Sequence, residues 1–232
     1  MDTENCVGAV ALDIEGTGSS INDKTFAIGF AHVPLIPEVT DGSDREAFGR
    51  HLKQRLIVLD LGKPDGMPWE DYWVEEGFEM HTYSEFWSQH VNVLDKLQSE
   101  DWTVAVKTEK EFADAINDTL RLIEEEYTST LLLSDTLTND VPTVSELLTR
   151  HGHLPLRKTR RGGYQSGSEV DSYVMGTLGL PLTTSWSVFA DIKKALLGTQ
   201  LSYARVYDHD PSNDAAAILS DCISAHVYNA KK

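Results

Sequence analysis

The sequence predicts an α/β fold, a mixed sheet flanked by helices, and three observations carry that expectation. Apolar runs with strand character, separated by turn residues, crowd the N-terminal quarter of the chain. From Ser84 onward, helical patterns alternate with one further apolar run, and strands followed by alternating helices read as a sheet covered by helices. The chain has 232 residues, 41% of them apolar, enough for one sizeable core, so a single domain over residues 1–232 is expected.

The elements follow in order. Val7 to Leu12, running into Asp13-Ile14-Glu15, reads as a strand that ends at Gly16-Thr17-Gly18. After the turn residues Asn22-Asp23-Lys24, Thr25 to Val33 reads as its antiparallel partner, and Arg55 to Leu61 as a third strand. Ser84 to Trp87 opens a helical pattern in which Phe86, Val93, Leu94 and Leu97 recur near helical spacing. Thr108 and Glu111 form a capping box, after which Phe112, Ala115, Ile116, Leu120 and Ile123 make one apolar stripe. A strand over Ser129 to Leu133 follows, then helices around Val144 to Thr149, Ser187 to Leu197 and Ser212 to Val227. Pro34 to Gly49, Lys63 to Gly77 and His151 to Gly167 read as long loops.

Composition narrows the function. Twenty Lys and Arg against 37 Asp and Glu give a formal charge of −17. Such a surface repels polyanions, which argues against an architectural or coating nucleic-acid binder. An enzyme that grips a short stretch of nucleic acid through metal ions is still allowed, because bound cations invert the sign of an acidic site. The opening residues have no basic segment and no long apolar stretch, so a signal peptide is not expected, nor a membrane span. Cys6 and Cys222 make neither a disulfide framework nor a zinc site, which fits the cytoplasm or another reducing intracellular compartment.

Three acidic clusters could carry chemistry. Asp13 and Glu15 lie two apart at a strand end, so strand alternation points both carboxylates to one face, a geometry suited to hard divalent ions. Asp135 and Asp140 sit in Ser134-Asp135-Thr136-Leu137-Thr138-Asn139-Asp140, between an apolar strand and a helix begun near Pro142. Asp208-His209-Asp210-Pro211-Ser212-Asn213-Asp214 puts Asp214 in the first turn of a helix and His209 on the preceding loop, free to act as a general base. Taken singly, each has a plainer explanation: a solvated strand edge, a polar helix-start loop, a surface histidine. Taken together they match one plan, in which four carboxylates hold two metals roughly 4 Å apart and a histidine activates water for in-line attack on phosphorus.

The residues DIEGTG, SDTLTND and HDPSND resemble motifs I, II and III of the DEDDh branch of the DnaQ-like 3'-to-5' exonucleases, over about residues 7 to 225. Glu85-Phe86-Trp87, Gly163-Tyr164 and Asp171-Ser172-Tyr173 are similar to a group of exonuclease-like proteins of large viruses and phages. The resemblance implies an RNase H-like fold, two Mg²⁺ or Mn²⁺ ions, and release of nucleoside 5'-monophosphates from DNA or RNA 3' ends, single-stranded or short. It implies metal ligation by Asp13, Glu15, Asp140 and Asp214, with His209 as general base and Thr17 and Gly18 at the terminal nucleotide. Asp135 stands where many members have Asn, so the motif II ligand is Asp140 or, alternatively, Asp135. The long spacing from Glu15 to Asp140 implies insertions around residues 34–77.

Two further readings stay open. Arg150, Arg157, Lys158, Arg160 and Arg161 gather in the loop around 151–167, and Lys158, Arg160 and Arg161 are expected to contact substrate phosphates unless the loop is merely solvated. Trp69, Tyr72, Trp73, Phe78, Tyr83 and Trp87 either stack on bases or pack internally. The alternative from another class is a non-catalytic nuclease-like binding module or a nucleic-acid mimic.

Overall fold

The computed structural model describes residues 6–18, 23–99, 105–159, 166–181, 184–198, 200–204, 206 and 208–231. Its centre is β1 (Val7–Gly16), whose apolar odd and even positions face different layers. Val10 and Leu12 enter one core, Ala9 and Ala11 the other. Around β1 the sheet runs β4 (Ala105–Val106), β3 (Lys53–Leu59), β2 (Thr25–Pro34), β1, β5 (Ser129–Ser134) and β6 (Ser166–Glu169). β1, β2 and β3 pair antiparallel, while β3–β4, β1–β5 and β5–β6 are parallel. The sheet is therefore mixed, as its alternating sequence pattern predicts.

The first core lies under α3 (Trp69–Glu76), α4 (Met80–Glu85), α5 (Val91–Leu97), α6 (Glu109–Glu126) and α7 (Asp140–Arg150). Helix α6 starts where expected, with the Thr108 hydroxyl accepting from the Glu111 backbone N–H and the Glu111 carboxylate accepting from that of Thr108. The second core is covered by α1 (Pro37–Thr40), α2 (Ala47–His51), α8 (Val170–Leu178), α9 (Trp186–Leu197) and α10 (Pro211–Ala230). No helix among the described residues is long and apolar enough to cross a membrane.

Several expectations are corrected. The helix expected from Ser84 is three pieces: α4, a 3₁₀ turn at Trp87–Gln89, and α5. Apolar spacing alone does not register the non-helical joints at Phe86 and His90. The third strand begins at Lys53 rather than Arg55, because polar Lys53 and Gln54 pair with β2 although both are exposed. Helix α7 begins at Asp140, ahead of Pro142, which the first turn tolerates since its missing N–H has no helical partner there. The stretches 34–49 and 63–77 hold α1, the start of α2, and α3. Trp69, Tyr72, Trp73, Tyr83 and Trp87 are buried and meet one another or neighbouring rings edge-on or tilted, so they are packing residues.

One glycine decides how α10 sits. Gly29 pairs with Asp13 across β1 and β2, and a Cβ there would overlap the Pro211 carbonyl and the Ser212 nitrogen. The first turn of α10 can therefore lie directly on the strand pair. Gly29→Val should cost about 1–3 kcal/mol of stability through overpacking. It should also lift Asp214 away from β1, a displacement that paired thermal melts and a structure of the variant would measure.

Candidate active site

The stripe Ala9, Ala11, Asp13, Glu15 runs along the α10 face of β1, since alternate residues share a face. The two alanines let α10 approach closely, and its facing residues Ala215 and Ala216 are equally small and fully buried. Where the alanines give way to Asp13 and Glu15, the first turn of α10 brings up Asp214. Asp13 and Glu15 are each 9% exposed, Asp214 7% and Asp140 2%. A cleft of about 210 Å³ opens here, lined by Asp13, Glu15, Asp135, Asp140, Gly18 and Phe86.

The acids fall into two adjoining sets. The ligand atoms of Asp13, Asp135 and Asp140 lie within 4.8 Å of one another, and so do those of Glu15, His209 and Asp214. Asp135 and Asp140 thus both reach Asp13. Their surroundings differ: Asp135 is exposed, while Asp140 is buried with both oxygens fixed, one by the Ser134 hydroxyl and one by that of Thr136 at 2.6 Å. Ser134 and Thr136 were not legible as site residues. Only the strand end and the polar run mark them in sequence.

Electrostatics match this crowding. Burial first, then the neighbouring carboxylates of Glu15, Asp135, Asp214 and Asp140, push Asp13 well above the usual range. Burial raises Glu15 to about 7 and Asp140 and Asp214 to about 6. His209 Nδ1 lies 3.7 Å from Glu15 Oε1, and that carboxylate holds the imidazole above its ordinary value. The loop before α10 is tied down as well, the Asp208 N–H donating to Asp214 at 3.0 Å. Buried carboxylates that raise one another are a donor set short of positive charge. All-oxygen ligands of this kind fit hard divalent ions such as Mg²⁺ or Mn²⁺.

The remaining predicted residues divide. Thr17 is buried beside the cleft, its hydroxyl accepting from the Lys24 N–H at 3.0 Å, and Gly18 lines the cleft against Asp23. Lys158 is half-buried in the loop after α7, Arg150 pairs with Glu109 at 3.1 Å, and Arg160 and Arg161, like Asn22, Gly163 and Tyr164, lie outside the described residues. Phe86, of the Glu85-Phe86-Trp87 run, and His90 flank His209, and the sequence gives no sign of that contact.

No protein-family model and no curated protein matches the chain. Among solved structures, it is similar to the zinc-ion-bound form of the E. coli ExoI–ssDNA complex, with 12% identity and a TM-score of 0.51, over 98% of this chain and 41% of that one. A further exonuclease I structure matches at 13% identity and a TM-score of 0.48, over 96% of this chain and 40% of that one. The chain thus spans well under half the length of the proteins it matches. The likeness is one of fold, and it identifies the mixed sheet with its flanking helices as RNase H-like.

Proposed function

We propose that this chain is a metal-dependent 3'-to-5' exonuclease of the DEDDh type that releases nucleoside 5'-monophosphates. The observation that carries the reading is the adjacency of two acidic sets, one holding Asp13 and the other Glu15 of β1, with an imidazole in the second. Asp13, Glu15, Asp140 and Asp214 would hold two Mg²⁺ or Mn²⁺ ions, with Asp135 an added carboxylate on the open side. Such ions, when bound, neutralise developing charge and acidify water. The chain supplies the rest. With Nδ1 turned to Glu15, His209 presents Nε2 to take the proton of the attacking water. The water oxygen bonds to phosphorus as the bond to the 3' oxygen breaks, leaving a nucleoside 5'-monophosphate and a strand one residue shorter. The Ser134 and Thr136 hydroxyls hold Asp140 rigid, which preorganises the site. Thr17 and Gly18 shape the floor for the terminal nucleotide. A net charge of −17 favours short or single-stranded ends over tracking on long duplex.

The test is a 5'-labelled oligonucleotide incubated with Mg²⁺, with Mn²⁺ and with EDTA. A ladder shortening from the 3' end, abolished by EDTA, is the expected result. No cleavage with either metal would leave the binding-module alternative, and hydrolysis that survives EDTA would overturn the metal scheme. The loop cations give a separate expectation. Replacing Lys158, Arg160 and Arg161 by Ala should raise KM for long oligonucleotides and flatten its salt dependence, with turnover on dinucleotides little changed. An unchanged salt slope would show the loop to be solvated only.

A further inference from the structure

The segment between β3 and β4 reaches both sides of the acidic cleft. At its 3₁₀ turn the buried Trp87 donates its indole N–H to the Gly16 carbonyl at 3.0 Å, beside the register irregularity that follows Glu15. Further along, the Lys96 ammonium meets Asp210, the residue after His209, at 2.7 Å. Between these anchors lie the two non-helical joints, Phe86 (φ −125°, ψ −69°) and His90 (φ −123°, ψ 28°). Both joints turn their rings onto His209.

The contacts are close and mutual. The Phe86 and His209 ring centroids are 4.6 Å apart at 82°, those of His90 and His209 4.4 Å apart at 63°, and those of Phe86 and His90 4.9 Å apart. Glu15 approaches the same imidazole at 3.7 Å. His209 needs such support, because its backbone is left-handed, with φ 60°, the one described non-glycine residue in that region. A residue with a Cβ is disfavoured in that conformation, so contacts from the surroundings must hold it.

We infer that Phe86 and His90 form an aromatic clamp that fixes the His209 imidazole over Glu15, as positioning residues for the base. The catalytic consequence rests on the exonuclease reading above; the clamp itself rests on ring geometry alone. An imidazole free to turn out of the cleft would leave metal ligands and substrate contacts in place while spending little time aligned with the attacking water. Loss of the clamp therefore lowers turnover and spares binding.

The experiment compares Phe86→Ala, His90→Ala and the double variant with the ring-retaining Phe86→Tyr and His90→Phe, on a single-stranded oligonucleotide and with Mn²⁺ titration. The double variant should lose about 10- to 100-fold in kcat, with KM and Mn²⁺ affinity within about twofold of wild type. Phe86→Tyr and His90→Phe should recover most of that turnover, and in a His209→Ala background the alanine changes should cost nothing further. Independently of activity, the carbon-bound ring protons of His209 should resonate away from free-histidine positions in the wild type and return toward them in each alanine variant, so the test survives if the double variant does not fold. The clamp is overturned if those resonances are undisplaced or unmoved, if the alanine losses persist without His209, or if His90→Phe is as slow as His90→Ala. A wild type inactive with both Mg²⁺ and Mn²⁺ would instead defeat the exonuclease reading, an innocuous His209→Ala would defeat the assignment of His209 as its base, and in either case the ring-proton shifts would still decide the clamp.

Discussion

On the proposed exonuclease reading, Asp13→Asn should reduce Mg²⁺-supported cleavage by about 10³-fold or more, since it would remove a ligand whose ions are asked for several kcal/mol of transition-state stabilisation. Excess metal should not restore the rate. The same change should make the metal-free protein more stable at neutral pH, because Asp13 is buried among Glu15, Asp135, Asp214 and Asp140. Sign follows from the raised values. Glu15 at about 7, and Asp140 and Asp214 at about 6, keep protons in the folded chain that the unfolded chain releases nearer pH 4 to 4.5. Their contribution to stability is full below the unfolded values and is lost as pH rises through 6 to 7. His32, lowered by burial to about 4, and His90, also lowered by burial, work the opposite way, while burial raises Asp135 and Asp171, and the Glu15 carboxylate raises His209, in the same sense as the cleft acids. Metal-free melting temperatures should therefore fall from pH 5 to 7.5, less steeply in Asp13→Asn, and Mg²⁺ should raise them only in the wild type. Melting temperatures that rise over this interval without metal would contradict the electrostatics of the cleft.

His209→Ala should lower kcat by roughly 10² to 10⁴, the usual contribution of a positioned general base. Mn²⁺ affinity, read by calorimetry, should change little, because the four carboxylates remain. This separates His209 from Glu15 and Asp214, with which it shares a ligand-sized cluster. A matching loss of metal affinity and turnover would mean that the imidazole is a ligand rather than a base.

How much could be read from sequence depended on whether a feature was local. Strand alternation places Asp13 and Glu15 on one face because the period of two is set by the backbone itself. The capping box marks the start of α6 for the same reason, all its partners lying within one turn. Features made by distant partners were not legible. The breaks at Phe86 and His90 exist because the segment must pin Gly16 with Trp87 and reach Asp210 with Lys96, contacts invisible to helical spacing. The motif II acids illustrate the middle case. Both were identifiable, yet only the fold shows that Ser134 and Thr136 fix Asp140 while Asp135 stays exposed.

The seating of α10 on β1 and β2 also bears on how the chain acquires its structure. The alanine stripe and Gly29 belong to strands made early, and their cover is a helix made nearly the whole chain later. During synthesis the β1–β2 hairpin can form at once, but its Ala9, Ala11, Ala31 and Val33 face is only partly covered until α10 emerges from the ribosome. Contacts so far apart in sequence are costly in loop entropy and form slowly. Asp214 and His209 arrive with the same helix and its leading loop, so on the two-metal reading the Glu15, His209 and Asp214 set should bind metal only once α10 has seated, after the Asp13, Asp135 and Asp140 set. Release of a Mn²⁺-quenched fluorescence signal during refolding would time that step directly.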